Sequence, residues 1–511
     1  MYNRLHSTAI FGIDAYMVEV ETDISQGLPI FDIVGLPDTA VKESRERVRA
    51  ALKNCGFALP SCRITVNLAP ADVKKSGSMY DLPSLLSILF ASGQLTVPCD
   101  LDKCAFIGEL ALDGTLRGGG GMLSMSIEAS RHGIKKFFVP AANAKEASVV
   151  EGIEIYPVTH LKQLAGFLAE GKGIAPMPTP SFDTIRRGTY PDFSEVRGQA
   201  AAKKALETAA AGGHNVLMIG PPGSGKSMLA KRLPGILPSM TFAESIETTK
   251  VHSVAGILPE DVPLITERPF RAPHHTVSAA GLSGGGAVPK PGEISLAHGG
   301  VLFLDEFPEF SRQAMETLRA PIEDGKVTIS RVGGRLTYPC EFSLVAAMNP
   351  CPCGFFGHPK KKCICSQQAV KHYLGKISGP MLDRLDIHVE VAPVEYSELS
   401  GKPTGETSAE IRRRVEAARK IQNDRYRGTG ISCNARLTPA LMSKYCHLTD
   451  DADRILKAAF EVMGMSARSY DRILKIARTV ADLDRSDYIG SAHISQAIQF
   501  RSLDRKYWNE L

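Results

Sequence analysis

A chain of 511 residues is longer than one hydrophobic core serves well, so two or three domains are expected. Hydrophobic residues at 43% beside 23% charged residues describe a globular protein and exclude a disordered or fibrous chain. With 60 basic and 55 acidic residues the formal net charge is +5, too small to argue by itself for a nucleic-acid partner.

No run of eighteen apolar residues occurs, which predicts no membrane span. Met1–Tyr16 lacks the charged-then-apolar pattern of a secretory signal, so a cytoplasmic location is expected. Across residues 1–168, apolar runs at Val18–Glu21, Phe31–Val34, Ile64–Asn67, Phe106–Gly108 and Phe137–Pro140 read as strands. Thr39–Cys55 and Leu82–Ser92 carry helical periodicity between them, making this stretch an α/β domain. Residues 169–190 read as a linker, with three prolines in Gly171–Pro180. A parallel α/β domain is expected over 191–400 and a helical lid over 401–511, with helix starts at Thr438-Pro439, Thr449 and Ser466.

The central domain opens on an alanine-rich helix and the short apolar strand Asn215–Ile219. Gly220-Pro221-Pro222-Gly223-Ser224-Gly225-Lys226-Ser227 follows, and this is a complete phosphate-binding loop between a strand and a helix. The glycines let backbone N–H groups wrap phosphates, Lys226 can reach the β and γ oxygens, and Ser227 can offer a hydroxyl to Mg²⁺. Downstream, Gly299–Glu306 is an apolar strand ending in two carboxylates. Asp305 is expected to share the Mg²⁺ with Ser227, and Glu306 to orient and polarise the attacking water. Both motifs together make ATP and Mg²⁺ the expected substrate and cofactor.

Other parts follow from their order in the chain. The apolar strand Leu344–Met348 ends in Asn349, which is placed to contact the γ-phosphate or water. Arg384, in Gly379–Asp386, is a candidate cation for a neighbouring subunit's site; a salt bridge to Asp383 or Asp386 is the alternative. Arg468 or Arg472 could serve as the lid's contact to the phosphates, Arg468 being preferred.

Of 11 cysteines, four fall at 351, 353, 363 and 365. Four thiolates can close a tetrahedral Zn²⁺ site, although CxC is tighter than the usual CxxC knuckle. Cys351, Cys353, Cys363 and Cys365 are therefore candidate ligands of a structural Zn²⁺.

Arg271-Ala-Pro-His-His275, Val301–Glu306, Glu323-Asp-Gly325, Ala346–Gly354 and Ser378–Asp386 together resemble the magnesium-chelatase-like AAA+ proteins called YifB or ComM. The likeness extends to Ala9–Ile13 and Phe31–Asp38, so it covers nearly the whole chain. It implies an ATP-driven homo-oligomer, a hexameric ring, acting on single-stranded or branched DNA. The implied activity is a helicase that promotes branch migration in homologous recombination or natural transformation, with recombination proteins as further partners. A chelatase-type or protein-unfolding ATPase is the alternative. Arg271–Ile294 would be the helix-2 insert and Gly325–Pro339 the pre-sensor hairpin, with Lys326, Arg331 and Arg335 as candidate DNA contacts. Residues 60–140 further resemble the proteolytic domain of Lon proteases, which has a ribosomal-S5-like fold. In that register Met79 takes the serine position and Leu123 the lysine position, so no protease chemistry is expected. That domain is expected to bind DNA or assist ring assembly, and the basic helix Lys42–Lys53 is a candidate surface, with an ordinary solvated face as the favoured alternative.

Overall fold

The computed structural model describes residues 1–97, 100–185, 190–286, 289–331, 334–393, 405–463, 465–503 and 505–509. The expected boundary at 400/401 and the end of the expected linker at 186–189 lie outside the described residues. Two compact units form: Met1–Arg186 with Phe242–Ile265, and Arg187–Thr241 with Thr266–Leu511. The segment 242–265 thus leaves the stretch expected to be nucleotide domain and is grouped with the first unit.

In the first unit, seven strands stand in the order Ile30–Val34, Arg63–Ala69, Asp14–Ser25, Tyr2–Phe11, Cys104–Phe106, Lys136–Pro140 and Glu154–Val158. Tyr2–Phe11 pairs antiparallel with Asp14–Ser25 along its whole length. The helix Thr39–Cys55 shows why its sequence folds locally. Asp38 accepts from the Val41 N–H at 2.8 Å, Gly56 closes the other end at φ 88°, and Val41, Val48, Ala51, Leu52 and Cys55 form one buried face. Asp81–Ala91 is buried on nearly every side and forms the centre of this core.

The helix Phe242–Ala255 is held within this unit by specific polar contacts. Ser253 Oγ accepts from the Gly121 N–H at 2.7 Å and donates to the buried Glu146, and Lys250 pairs with Asp14 at 2.6 Å. The fit requires glycine at 120, where a Cβ would stand 2.5 Å from the Ser253 carbonyl oxygen.

In the second unit, five parallel strands stand in the order Phe270–Arg271, Val301–Leu304, Ser343–Met348, Val216–Ile219 and Ile387–Glu390. Val216–Ile219 and Val301–Leu304 are buried at every position, as a parallel sheet covered on both faces requires. Each such side chain contributes on the order of 1.5–3 kcal/mol of burial. The register pairs Ile219 with Met348 and Leu304 with Ala346, so Gly220, Asp305 and Asn349 emerge together at the carboxyl ends.

The carboxyl-terminal region is helical: Ser408–Arg425, Pro439–Tyr445, Asp450–Met463, Ala467–Leu483 and Ser491–Gln499. Its interior contains an ion cluster in which the buried Asp482 accepts from Arg425 at 2.6 and 2.9 Å, from the fully buried Arg478 at 3.1 Å, and from Asn434 at 2.8 Å. Removing one partner of such a cluster leaves buried charge uncompensated, at about 3–5 kcal/mol. Asp482→Asn is accordingly expected to lower the urea midpoint of the lid markedly; an unchanged midpoint would show that the cluster contributes nothing.

Candidate nucleotide site and cysteine cluster

The strand order places Ser343–Met348 between the strand that ends in the glycine loop and the strand that ends in two carboxylates. Lys226, at the start of the helix Lys226–Arg232, donates to the carbonyls of Gly220 (2.7 Å) and Pro221 (3.0 Å) and to Asn349 Oδ1 (3.2 Å). Burial pushes its ammonium below the usual lysine range, and the Asp305 carboxylate opposes that shift. Ser227 Oγ donates to Asp305 Oδ2 at 2.6 Å. A hydroxyl and a carboxylate oxygen therefore already share the point where a hard divalent cation would sit, and the oxygen donors suit Mg²⁺. Gly220 is required by close approach, since a Cβ there would lie 2.3 Å from the Val391 carbonyl oxygen.

Glu306 adopts a left-handed backbone at φ 51°, and its N–H donates to Asp305 Oδ1 at 2.9 Å. Its carboxylate lies 3.2 Å from His275 Nδ1. Sequence reasoning had no way to find this contact, because the partner is far upstream. It also missed Gln199, held at φ 59° just before the helix Ala200–Gly212. Gln199 Nε2 donates to the carbonyls of Ser224 (3.3 Å) and Ala392 (2.6 Å), tying the glycine loop to the chain beyond the last strand. A glycine-glutamine pair ahead of an alanine-rich helix was the available signal.

Arg384 is held within its own subunit by the carbonyls of Arg319 (3.1 Å) and Pro380 (2.6 Å) and by Glu323 (2.7 Å). Its acidic partner is Glu323 and not the adjacent Asp383 or Asp386, which face other arginines. Arg472 reaches Asp383 at 3.3 Å and Asp386 at 3.6 Å, while Arg468 lies 3.6 Å from Asp383. The two candidates differ in freedom: the Arg472 side chain is 12% exposed and that of Arg468 is 67% exposed.

The four cysteines converge. Cys351 Sγ lies 3.4 Å from Cys353 Sγ and 3.7 Å from Cys363 Sγ, Cys353 and Cys363 are 3.6 Å apart, and all four sulfurs fall within 4.8 Å of one another. A tetrahedron with ~2.3 Å metal–sulfur bonds has edges of about 3.8 Å, so the sulfurs are spaced for a shared metal and too far apart for disulfides. Burial alone would raise the Cys353 thiol, but the N–H groups of Ile364 and Phe355, together with the Cys351 and Cys365 thiols, outweigh it and bring it down to about 6. The loop abuts the nucleotide site: a Cβ on Gly354, at φ 82°, would lie 2.4 Å from Pro222 Cδ. Within it, His358 Nδ1 accepts from the N–H groups of Lys360 and Lys361, both at 3.0 Å.

Two insertions pack on each other. The strands Lys326–Arg331 and Gly334–Pro339 pair antiparallel, burying Val327 and Ile329 on one face. The other face exposes Lys326, Thr328 and Ser330 beside Arg335 and Thr337. The Arg331 side chain and the tip at 332–333 lie outside the described residues. Arg271 clasps the base of the preceding insert through two bonds to Glu293, at 2.7 and 2.8 Å. The insert's short ladder, Gly284–Gly285 with Lys290–Pro291, lies against Ile329, and Tyr338 Oη donates to the Pro289 carbonyl at 2.9 Å. Residues 287–288 of this insert lie outside the described residues.

In the first unit, Leu123 is fully buried, Met79 packs against Gly119, and Ser78 Oγ donates to Glu109. Lys75 is buried with no hydrogen-bond partner for its ammonium, and no Ser–Lys pair forms among the described residues. The basic helix is less available than its sequence suggests. Arg47 is spent on the buried Asp81 at 2.6 and 3.0 Å, and Arg45 bonds to the Lys42 and Phe31 carbonyls.

Three family descriptions match the chain. They are Subunit ChlI of Mg-chelatase over residues 20–143, Magnesium chelatase, subunit ChlI, over 192–399, and the ChlI C-terminal region over 405–501. The chain is 43% identical to YifB of Escherichia coli (strain K12) over 504 residues, 98% of this chain and 97% of that one. It is 42% identical to the competence protein ComM of Haemophilus influenzae over 509 residues, again 98% and 97%. A shorter match, 32% identity over 148 residues and 26% of each chain, is to Lon protease 2 of Bacillus subtilis.

Proposed function

Because the chain belongs to the YifB/ComM family of magnesium-chelatase-like AAA+ proteins, we propose that it is an ATP-hydrolysing ring motor acting on DNA. The family implies ATP and Mg²⁺ use and suggests oligomeric assembly. Among the described residues no helix is long and apolar enough to cross a membrane. In this reading Gly220–Gly225 wrap the phosphates, and Lys226 exchanges its carbonyl acceptors for β and γ oxygens. Ser227 and Asp305 hold Mg²⁺, Glu306 activates water, and Asn349 orients it. Arg384 would act on the next subunit's nucleotide, which makes assembly, as a hexamer in our reading, a condition for hydrolysis. Arg468 is the better candidate for the lid's phosphate contact, since Arg472 is already committed between two aspartates. Cys351, Cys353, Cys363 and Cys365 would hold a structural Zn²⁺.

The observation that carries DNA as the cargo is the exposed Lys326 and Arg335 face of the hairpin, where cations can follow a phosphate backbone. One relative is named competence protein ComM, and branch migration is the activity we propose for this chain. The test measures ATPase rates with single-stranded, duplex and branched DNA and with casein, beside a Lys226→Ala control. Stimulation by branched or single-stranded DNA is expected. Stimulation by casein alone would replace the DNA reading with protein unfolding. Replacing Lys326, Arg331 and Arg335 with alanine is expected to weaken DNA binding and to flatten its salt dependence, by about 0.7 per lost phosphate contact on single strands. Unchanged affinity at low salt would remove the hairpin from the DNA path.

A further inference from the structure

The cysteine loop carries more than its four sulfurs. Between Glu341 and Asp383 the sequence holds five lysines and no acidic residue, a one-sided run in a chain whose charges otherwise nearly balance. Lys360, Lys361 and Lys362 form the tip between Cys353 and Cys363, and Lys371 lies on the helix Gln367–Leu374 that leaves the cluster. All four are exposed. The fifth, Lys376, is neutralised by Glu309 at 2.9 Å, whereas Lys361, Lys362 and Lys371 meet no carboxylate among the described residues. The tip has a built shape: His358 Nδ1 accepts from the Lys360 and Lys361 N–H groups, and the His358 ring meets Phe355 edge-on at 5.6 Å. The Lys361 ammonium stands 4.9 Å over the centre of the Phe355 ring. Ile364, between two of the converging cysteines, is 87% exposed and so contributes to no core of this chain.

We infer that this loop is a second contact for single-stranded DNA, in addition to the hairpin. Lys361, Lys362 and Lys371 hold phosphates, and Ile364 lies against an unstacked base. Cations clustered on one surface without carboxylate partners release condensed counterions when they meet a phosphate chain, and that release drives sequence-independent binding. The exposed isoleucine supplies what cations cannot, an apolar surface for the face of a base, which an intact duplex keeps stacked inside. The combination favours a single strand over an acidic protein segment, whose carboxylates would satisfy the lysines and leave Ile364 in water. Hydrogen bonds and ring contacts already fix the tip, so little ordering entropy is lost when the strand arrives.

The inference rests on the reading of DNA as the cargo. Its test is the fluorescence anisotropy of a labelled oligothymidylate titrated with the full chain over a series of salt concentrations. Replacing Lys361, Lys362 and Lys371 with alanine is expected to weaken binding about tenfold and to lower the slope of log affinity against log salt by about 2, at about 0.7 per lost phosphate contact. Arginine at the same three positions should keep the wild-type slope. Ile364→Ala is expected to weaken binding several-fold with the slope unchanged, and to leave affinity for a duplex of the same length as it was. An alanine variant with wild-type affinity and slope would overturn the inference, while the hairpin variants would still decide the cargo. An I364A protein that binds the single strand as the wild type does would overturn the base contact. Loss of polyglutamate binding in the alanine variant, with DNA binding intact, would overturn it in favour of an acidic protein partner. A wild type that binds no oligothymidylate would fail the cargo reading itself, and the inference with it.

Discussion

Replacing Glu306 with glutamine is expected to lower kcat by about 10²–10⁴-fold, the usual contribution of a general base, while ATP still binds. The amide keeps the shape and hydrogen-bonding reach of the side chain but cannot accept the proton of an attacking water. The groups proposed to bind nucleotide are elsewhere: Lys226 sits among loop carbonyls, and Ser227 faces Asp305 at 2.6 Å. The loss should therefore fall on kcat, with nucleotide affinity preserved. Lys226→Ala should differ in kind, since removing the buried ammonium would take away the charge proposed to meet the phosphates. A fluorescent nucleotide titration beside a phosphate-release assay separates the two, and E306Q turning over at the wild-type rate would strike Glu306 from the site.

Purified protein is expected to contain one zinc per chain, and Cys353→Ser to lose it. The spacing of the sulfurs, 3.4 to 3.7 Å among Cys351, Cys353 and Cys363, leaves little rearrangement for binding. In isolated zinc-binding peptides metal contributes about 10–16 kcal/mol of apparent folding free energy. Here it folds only one loop of a larger unit, so the expected loss is local and smaller. Because Gly354 packs on Pro222, disorder in this loop should reach the phosphate-binding loop and lower ATP affinity as well as thermal stability. Acid should mimic the substitution, as protons compete for thiolates and release metal. Metal analysis of freshly prepared protein decides the matter: no zinc, together with wild-type melting of C353S, would leave four thiols without a ligand.

The parts of the site legible in the sequence were those whose chemistry is local. A glycine loop between strand and helix, and two acids at the end of an apolar run, announce themselves by spacing alone. The helix Thr39–Cys55 was legible for the same reason, with Asp38 and Gly56 marking its ends. The strand Tyr2–Phe11 was not, because Ser7 and Thr8 are buried within it and blur the apolar alternation. Glu154–Val158 was likewise missed, being short and broken by Pro157. The partners of Glu306 and Arg384 are decided by tertiary neighbours, and the passage of Phe242–Ala255 to the first unit leaves no local trace. An arginine such as Arg47 looks like a surface charge in sequence and is committed to Asp81 in the fold.

That transferred helix also orders the events of synthesis. A domain made first ordinarily folds first, as soon as its last residue clears the ribosome. Here the first unit lacks a helix until residue 265 has been made, about 80 residues after Arg186, a delay on the order of 4–16 s at ordinary elongation rates. During that interval Gly120 and Gly121 face no Ser253, and the buried Glu146 has no hydroxyl to receive. The nascent chain therefore cannot finish its beginning before it has made the phosphate loop.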